Sequence, residues 1–126
     1  MKLPTLLLGR ILFCIPFVAF GLMNVTGAEK IAGFVPAWMP GGLILVYITG
    51  FAELAAAASI LIGKQTRLAG QLLALLLLIF VFTIHVPGMM NAADEMTKLM
   101  SLAGALKDLG LAGGALLVSH IYSDRP

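Results

Sequence analysis

Five ionisable side chains lie inside stretches of sequence that are otherwise apolar enough to cross a membrane: Arg10, Glu53, His85, Lys107 and Asp108. A charge at the centre of a bilayer costs about 2.5–3.5 kcal/mol on insertion scales, so such residues usually face a bundle interior and meet a partner there. Carboxyl, imidazole and amine groups in that setting bind a polar head group, such as a quinone carbonyl or a small anion, or pass protons. These five residues form the candidate buried polar site.

A purely structural role accounts for the same residues. Arg10 and Lys107 balance the charges of Glu53 and Asp108, and buried ion pairs can specify which helix faces which. His85 lies near the end of its apolar stretch, where an imidazole also finds hydrogen-bond partners at the membrane surface. The residues themselves leave the functional and the structural interpretation open.

The other reactive side chains do not form a recognisable catalytic set. Cys14 has no Cys-x-x-Cys mate and is interpreted as a packing residue. His85 and His120 are expected at opposite ends of the bundle, so we predict no metal site. We also predict no catalytic residue and no covalent cofactor, and do not expect the chain to be a complete enzyme by itself.

The composition places the chain in the membrane. Of its 126 residues, 60% are hydrophobic and 11% are charged, and the mean hydropathy is +1.04, whereas charged residues make up about 25% of soluble domains. The length predicts a single transmembrane domain over residues 1–126. The net charge of +2 is spread along the chain, so nothing indicates a nucleic-acid partner.

Four hydrophobic segments predict the elements that position these side chains. They cover residues 3–25, 43–62, 68–86 and 100–122, and about 20 residues suffice to cross the hydrocarbon core as a helix. The runs are continuous rather than alternating, so the sequence predicts an all-α, four-helix transmembrane bundle. Pro87 and Gly88 are expected to end the third helix, and residues 91–98 to form a polar loop. Residues 28–33 are expected to form a short interfacial turn.

Helical rise gives the expected depth of each ionisable group. At 1.5 Å per residue, Glu53 falls near mid-membrane, and Arg10 about 12 Å from its end of the first span, with its side chain reaching toward Glu53. Lys107 and Asp108 fall about 10–12 Å below the opposite surface. His85 is expected close to that surface.

Small residues on two spans predict close helix packing. In the fourth span they recur at steps of three and four, together with Asp108; the positions are Ser101, Gly104, Ala112, Ala115 and Ser119. The second span carries a similar set: Ala52, Ala55, Ala56, Ser59 and Gly63. Glu53 and Asp108 are therefore expected to face one interior. The Gly110–Gly114 spacing is compatible with a homodimer, but a monomeric bundle uses small residues in the same way.

Orientation follows from lysine and arginine in the short loops. Lys2, Lys64 and Arg67 lie on one side, whereas Lys30 and Lys98 lie on the other among acidic residues. The positive-inside rule therefore predicts that both termini are cytoplasmic.

Several motifs, in order and spacing, resemble the DoxX family of small four-span bacterial inner-membrane proteins. The resemblance runs from about residue 9 to residue 118. The motifs are Gly9-Arg10-Ile11-Leu12-Phe13, Pro16-Phe17, Phe20-Gly21, Val35-Pro36-Ala37-Trp38-Met39-Pro40, Val46-Tyr47-Ile48-Thr49-Gly50 with Glu53, Lys64 with Thr66-Arg67-Leu68, Ile84-His85-Val86-Pro87-Gly88-Met89, and Leu106-Lys107-Asp108 with Leu111-Ala112-Gly113-Gly114. One departure is that many members carry a histidine or lysine where this chain has Met23 and Asn24.

The resemblance implies a link to redox chemistry. The family takes its name from a subunit of a thiosulfate-oxidising, quinone-reducing membrane complex, and other members are associated with thiol and oxidative-stress systems. The implied function is an oxidoreductase subunit with a redox protein partner, and quinone as a possible ligand. In this hypothesis Glu53 is the proton-active group, Arg10 and Lys107 are its electrostatic partners, and Asp108 is the counter-charge. The alternative is a non-enzymatic membrane protein that assists assembly, retains a partner or passes a small solute.

Overall fold

The computed structural model of the chain describes residues 2–33 and 35–122, with side chains from Pro4 onward. The elements are α1 (Lys2–Thr26), α2 (Ala28–Ala32), α3 (Gly42–Ile62), α4 (Thr66–Phe80), a π-helical segment (Val81–His85), α5 (Val86–Met90) and α6 (Glu95–Ile121). In the described part of the chain, four helical stretches are long and apolar enough to cross a membrane, the third running from Thr66 to Met90. The predicted all-α, four-span fold is confirmed. The outermost residues of the expected 1–126 domain, 1 and 123–126, lie outside the described residues.

The connections set the direction of each crossing. Gly41 and Gly63 flank α3 with φ values of 69° and 78°, in the left-handed region that glycine enters without steric cost. A three-residue turn after α3 leads directly into α4, and α2 lies within the expected interfacial turn at 28–33. We call the surface where α1 begins and α6 ends the near side, and the opposite surface, which carries α2, the far side.

The third crossing is longer than the sequence predicted. Pro87 and Gly88 were expected to end it, but the chain continues through the π-helical segment and α5 to Met90. Pro87 lies in the first turn of α5, where its missing N–H is tolerated because first-turn donors lack α-helical partners. The expectation that the helix ends here was therefore wrong.

The fourth crossing also begins earlier than expected. Asp94 caps α6 by accepting a hydrogen bond from the backbone N–H of Thr97 at 2.7 Å, so residues 95–98 are helical rather than part of the loop. That hydrogen bond lowers the pKa of the Asp94 carboxyl below its usual range, because it favours the charged form. The Asp94 side-chain cap determines where α6 begins, a boundary that the hydrophobicity of the sequence did not predict.

The bundle consists of two closely packed pairs, α1 with α3 and α4 with α6. A Cβ on Gly21 would lie 2.9 Å from the carbonyl oxygen of Gly50, and one on Gly70 would lie 2.7 Å from that of Ala115. These contacts leave no room for larger side chains, as is common where helices associate in lipid. Contacts between the pairs are fewer, and α1 barely touches α6.

The core fills the near half of the space between the pairs. Phe17 and Ile60 are fully buried there, with Leu73 of α4 and Ala115 of α6. Cys14 is buried in the same cluster, and its Sγ lies 3.8 Å from the carbonyl oxygen of Ala57. The far half of this space is not filled in the same way.

Only some of the predicted small-residue stripes are buried. On α6, Asp108, Ala112, Ala115 and Ser119 are buried as expected, whereas nothing lies within 4 Å of a Cβ on Gly110. The buried face of α3 instead comprises Val46, Gly50, Glu53, Ala57 and Ile60. These positions follow steps of four and three, so helix phase rather than residue size selects them. Ala52 and Ala55 are exposed, so the expected packing face of the second span was wrong although Glu53 does face inward.

Candidate functional site

A cavity of about 470 Å³ occupies the far half of the space between the two helix pairs. Most of its wall is aliphatic or aromatic, with Phe17, Phe20 and Phe80 among the lining residues. Its polar lining comes from every membrane crossing: Asn24, Thr49, Glu53, Thr83, His85, Lys107 and Asp108. An apolar cavity of this size with a few convergent polar groups is typical of a small-molecule site.

Asp108 is the most heavily engaged of these polar side chains. It is 2% exposed, its Oδ2 lies 2.9 Å from Nε2 of His85, and its Oδ1 lies 3.2 Å from Nζ of Lys107. Both carboxylate oxygens therefore have a partner, which offsets the cost of burying the group. The arrangement fixes the Nε2 side of His85 as the side that faces Asp108.

The backbone around His85 is adapted to hold the imidazole against α6. A Cβ on Gly104 would lie 2.7 Å from Cε1 and 2.8 Å from Nδ1 of the ring, so only glycine leaves space for it there. His85 also ends the π-helical segment, a rare helical form that is frequent at functional sites. Within that segment, the Thr83 hydroxyl donates to the carbonyl of Ile79 at 2.6 Å.

Lys107 joins the two helix pairs on the far side. Its Nζ lies 4.3 Å from the centroid of the Phe20 ring on α1, while the same amine bonds Asp108 on its own helix. A cation over an aromatic face is attracted by the ring quadrupole, which compensates part of the lost hydration. The side chain is 46% exposed, so its amine remains accessible to a ligand in the cavity.

Glu53 differs from Asp108 although both line the same cavity. It is 4% exposed, and no hydrogen bond or ion pair joins it to another side chain among the residues that the structure describes. Lys107 and Asp108 are close enough to interact with it electrostatically. A carboxyl in this position can accept a hydrogen bond when ionised and donate one when protonated.

Two further polar residues were not part of the sequence-based site. The Asn24 amide donates to the Thr49 hydroxyl at 3.2 Å, and that hydroxyl donates to the Val46 carbonyl at 3.1 Å. Thr49 precedes Glu53 by one helical turn, and this spacing could have identified it. Asn24 is also one of the two positions, with Met23, where the sequence departs from the expected histidine or lysine, and it lies in the cavity wall.

Arg10 lies away from the other four ionisable residues. Its guanidinium carbon lies 5.3 Å from the centroid of the Tyr122 ring, and its Nη1 lies 3.9 Å from the position of a Cβ on Gly63. Gly63 is about 15 Å along α3 from Glu53, at 1.5 Å per residue. The expected reach toward Glu53 is therefore not seen, because the side chain extends to the near surface, where a long cationic side chain keeps its charge hydrated.

The remaining sequence candidates lie apart from the cavity. His120 is exposed on the last turn of α6, at the near side. Within residues 2–33 and 35–122, no three His, Cys, Asp or Glu side chains are grouped as metal ligands. Glu53, His85 and Lys107 can form hydrogen bonds with a ligand in the described cavity and exchange protons with it. The Asn24 amide can form hydrogen bonds only.

A family model described as DoxX matches residues 5–86, which include Asn24, Glu53 and His85 but end before Lys107 and Asp108. No curated protein and no solved structure matches the chain significantly.

Proposed function

The chain belongs to the DoxX family, and on that premise we propose that it is a membrane subunit of a quinone-linked or thiol/sulfur-linked oxidoreductase system. Its cavity would hold a quinone head group. One observation carries the proposal: among the residues that the structure describes, Glu53 lines the cavity without a hydrogen-bond or ion-pair partner, opposite an Asp108 whose two oxygens are both engaged. A shared fold alone would not support a site, so the proposal depends on these side chains.

The polar lining suits the carbonyl oxygens of a quinone ring. The Lys107 amine and the Asn24 amide are donors, and Phe20 and Phe80 provide flat apolar walls. Reduction of a quinone to a quinol consumes two electrons and two protons. In this proposal a redox protein partner supplies both electrons, the chain binds the ring and donates one proton from the Glu53 carboxyl, and the second proton comes from water at the far side.

We further propose that the protein resides in the bacterial inner membrane with both termini in the cytoplasm. The basic residues of the near-side turn, Lys64 and Arg67, support that orientation. The near side is then cytoplasmic, and the cavity lies in the outer half of the membrane. An electron-donating partner would approach from the outer surface or from within the bilayer.

The first test is Glu53→Leu in the full chain, purified into lipid nanodiscs. Leucine has a similar size but no hydrogen-bonding group, so it cannot donate to a quinone carbonyl oxygen as the protonated carboxyl of Glu53 does, and decylubiquinone should bind about tenfold more weakly. Quenching of the single tryptophan, Trp38, next to the cavity-lining Met39, reports binding.

Glu29→Leu provides the matched control, because Glu29 is an exposed carboxyl on α2 that does not line the cavity. It should bind as the unchanged chain does. Unaltered binding by Glu53→Leu would contradict the proposal, and equal loss of the protein itself from the membrane would indicate a structural role instead.

A second candidate function is a non-enzymatic membrane protein that assists assembly, retains a partner or passes a small solute. The mutual pairing of His85, Lys107 and Asp108 favours it, because such a network can simply specify helix arrangement. A defined partner recovered from membranes, without redox change on adding quinone analogues, would support this function.

A further inference from the structure

A second cavity, of about 410 Å³, lies between α3 and α4 on the surface that faces lipid. Its α3 wall is made of small residues, including Ala52, Ala55 and Ser59, and its α4 wall is made of leucines, including Leu72 and Leu75. From Ala52 to Ser59 the wall extends about 10 Å along the helix axis. We call this feature the α3–α4 groove.

The α3–α4 groove lies beside the cavity that contains Glu53. Leu76 and Ile79 line both spaces. Two residues that line the cavity, Ile48 of α3 and Ile79 of α4, are also 57% and 45% exposed on the outside of the bundle. The polar cavity and the apolar groove are therefore neighbours that share the side chains of Leu76 and Ile79 as a wall.

The small residues of α3 are what keep this groove open. Ala52 and Ala55 are exposed and do not contribute to the buried face of their helix, which Val46, Glu53 and Ile60 define. Larger side chains at these exposed positions would fill the groove without disturbing the core. Their small size thus leaves an apolar surface whose shape matches a narrow, linear group.

We propose that the α3–α4 groove binds the hydrocarbon chain of a ligand whose polar head occupies the Glu53 cavity. The ligand class is a lipid-soluble molecule with one compact polar ring and a linear apolar tail, and it enters laterally from the bilayer. The inference rests on the proposed function for the position of the head. Burial of the tail removes apolar surface from a disordered environment and adds packing contacts along the alanines and leucines.

The test compares two ligands that differ only in the tail, decylubiquinone and the same benzoquinone ring without its alkyl chain. With each ligand's concentration expressed relative to lipid, the unchanged full chain in nanodiscs should bind the tailed ligand more tightly. Ala55→Phe fills the groove and should weaken binding of decylubiquinone about tenfold, because the displaced tail loses its packing contacts with the alanines and leucines. Binding of the bare ring should not change. Ala58→Phe is the matched control, since Ala58 is exposed on the same helix and lines neither cavity.

Each outcome separates the groove from the head site. If the bare ring binds but Ala55→Phe affects neither ligand, the groove inference fails and the head site stands. If the ring does not bind the unchanged chain, the proposed function fails and the groove inference fails with it. If Ala55→Phe instead lowers the fraction of cross-linked dimer without altering ligand affinity, a second copy of the chain occupies the groove and the inference is overturned. Ala55→Leu, a smaller change at the same exposed position, repeats the test should Ala55→Phe fold poorly.

Discussion

The near and far halves of the bundle use the same helices for opposite purposes. In the near half, Phe17 and Ile60 fill the space between the pairs, whereas close backbone contacts within a pair occur in both halves, at Gly70 and Ala115 and at Gly21 and Gly50. In the far half the space between the pairs remains open and carries polar side chains. The difference indicates that the near half holds the pairs together, which allows the far half to keep a cavity.

The two halves also treat charge differently. Arg10, in the near half, extends to the surface and lies beside Tyr122. In the far half, Asp108 is buried and paired with His85 and Lys107, while Glu53 is buried and has no direct side-chain partner within residues 2–33 and 35–122. The position of Arg10 is thus compatible with anchoring the bundle at the near surface. Glu53 and Asp108, in contrast, lie around a cavity that can take a ligand.

The largest effect is expected from overpacking the near half. In Gly70→Leu the new Cβ would meet the Ala115 carbonyl oxygen at 2.7 Å, so α4 and α6 must separate, and we expect a loss of about 3 kcal/mol of stability. Thermal unfolding in detergent, followed by circular dichroism, measures it. Gly113→Leu is the control, because nothing lies within 4 Å of a Cβ there. Equal stability of the two variants would contradict a rigid near half.

A smaller effect should distinguish the two cations, one from each half. Lys107→Met removes a donor from the cavity and should weaken decylubiquinone binding about tenfold. Arg10→Met should leave binding unchanged and cost only the cation–π contact with Tyr122, about 0.5–1 kcal/mol of stability. Titration of both variants in nanodiscs checks the contrast. If Arg10→Met weakened binding as much as Lys107→Met does, the division between the halves would be wrong.

Apolar runs and helix phase were sufficient to predict the crossings and part of the site. Four continuous hydrophobic stretches require four helices in lipid, and the isolated charge of Glu53 could only face inward. The end of the third crossing was missed because a proline in the first turn of a new helical segment looks, in sequence, the same as one that stops a helix. The N-cap at Asp94 was missed because the residues around it are polar, as residues in a loop also are.

Pairing between helices could not be derived from one sequence. Asp108 was expected to balance charges within the membrane, but its bond to His85 depends on how the third crossing lies against Gly104. Arg10 was grouped with Glu53 by depth alone, although a long side chain can turn toward either surface. Asn24 is uncharged and lies on a different helix from Glu53, so only its position in the cavity wall distinguishes it, whereas Thr49 could have been identified by its spacing from Glu53.

Photo-labelling with an azido-quinone tests the central claim most directly. The full chain in native membranes would be illuminated with the probe, digested and mapped by mass spectrometry, with excess decylubiquinone as competitor. We expect competed labels on peptides that contain cavity-lining residues of both helix pairs, such as those with Phe20, Ile48 and Phe80. Competed labels confined to the near half, around Arg10 and Tyr122, or labels that decylubiquinone does not compete, would contradict a quinone site in the far half.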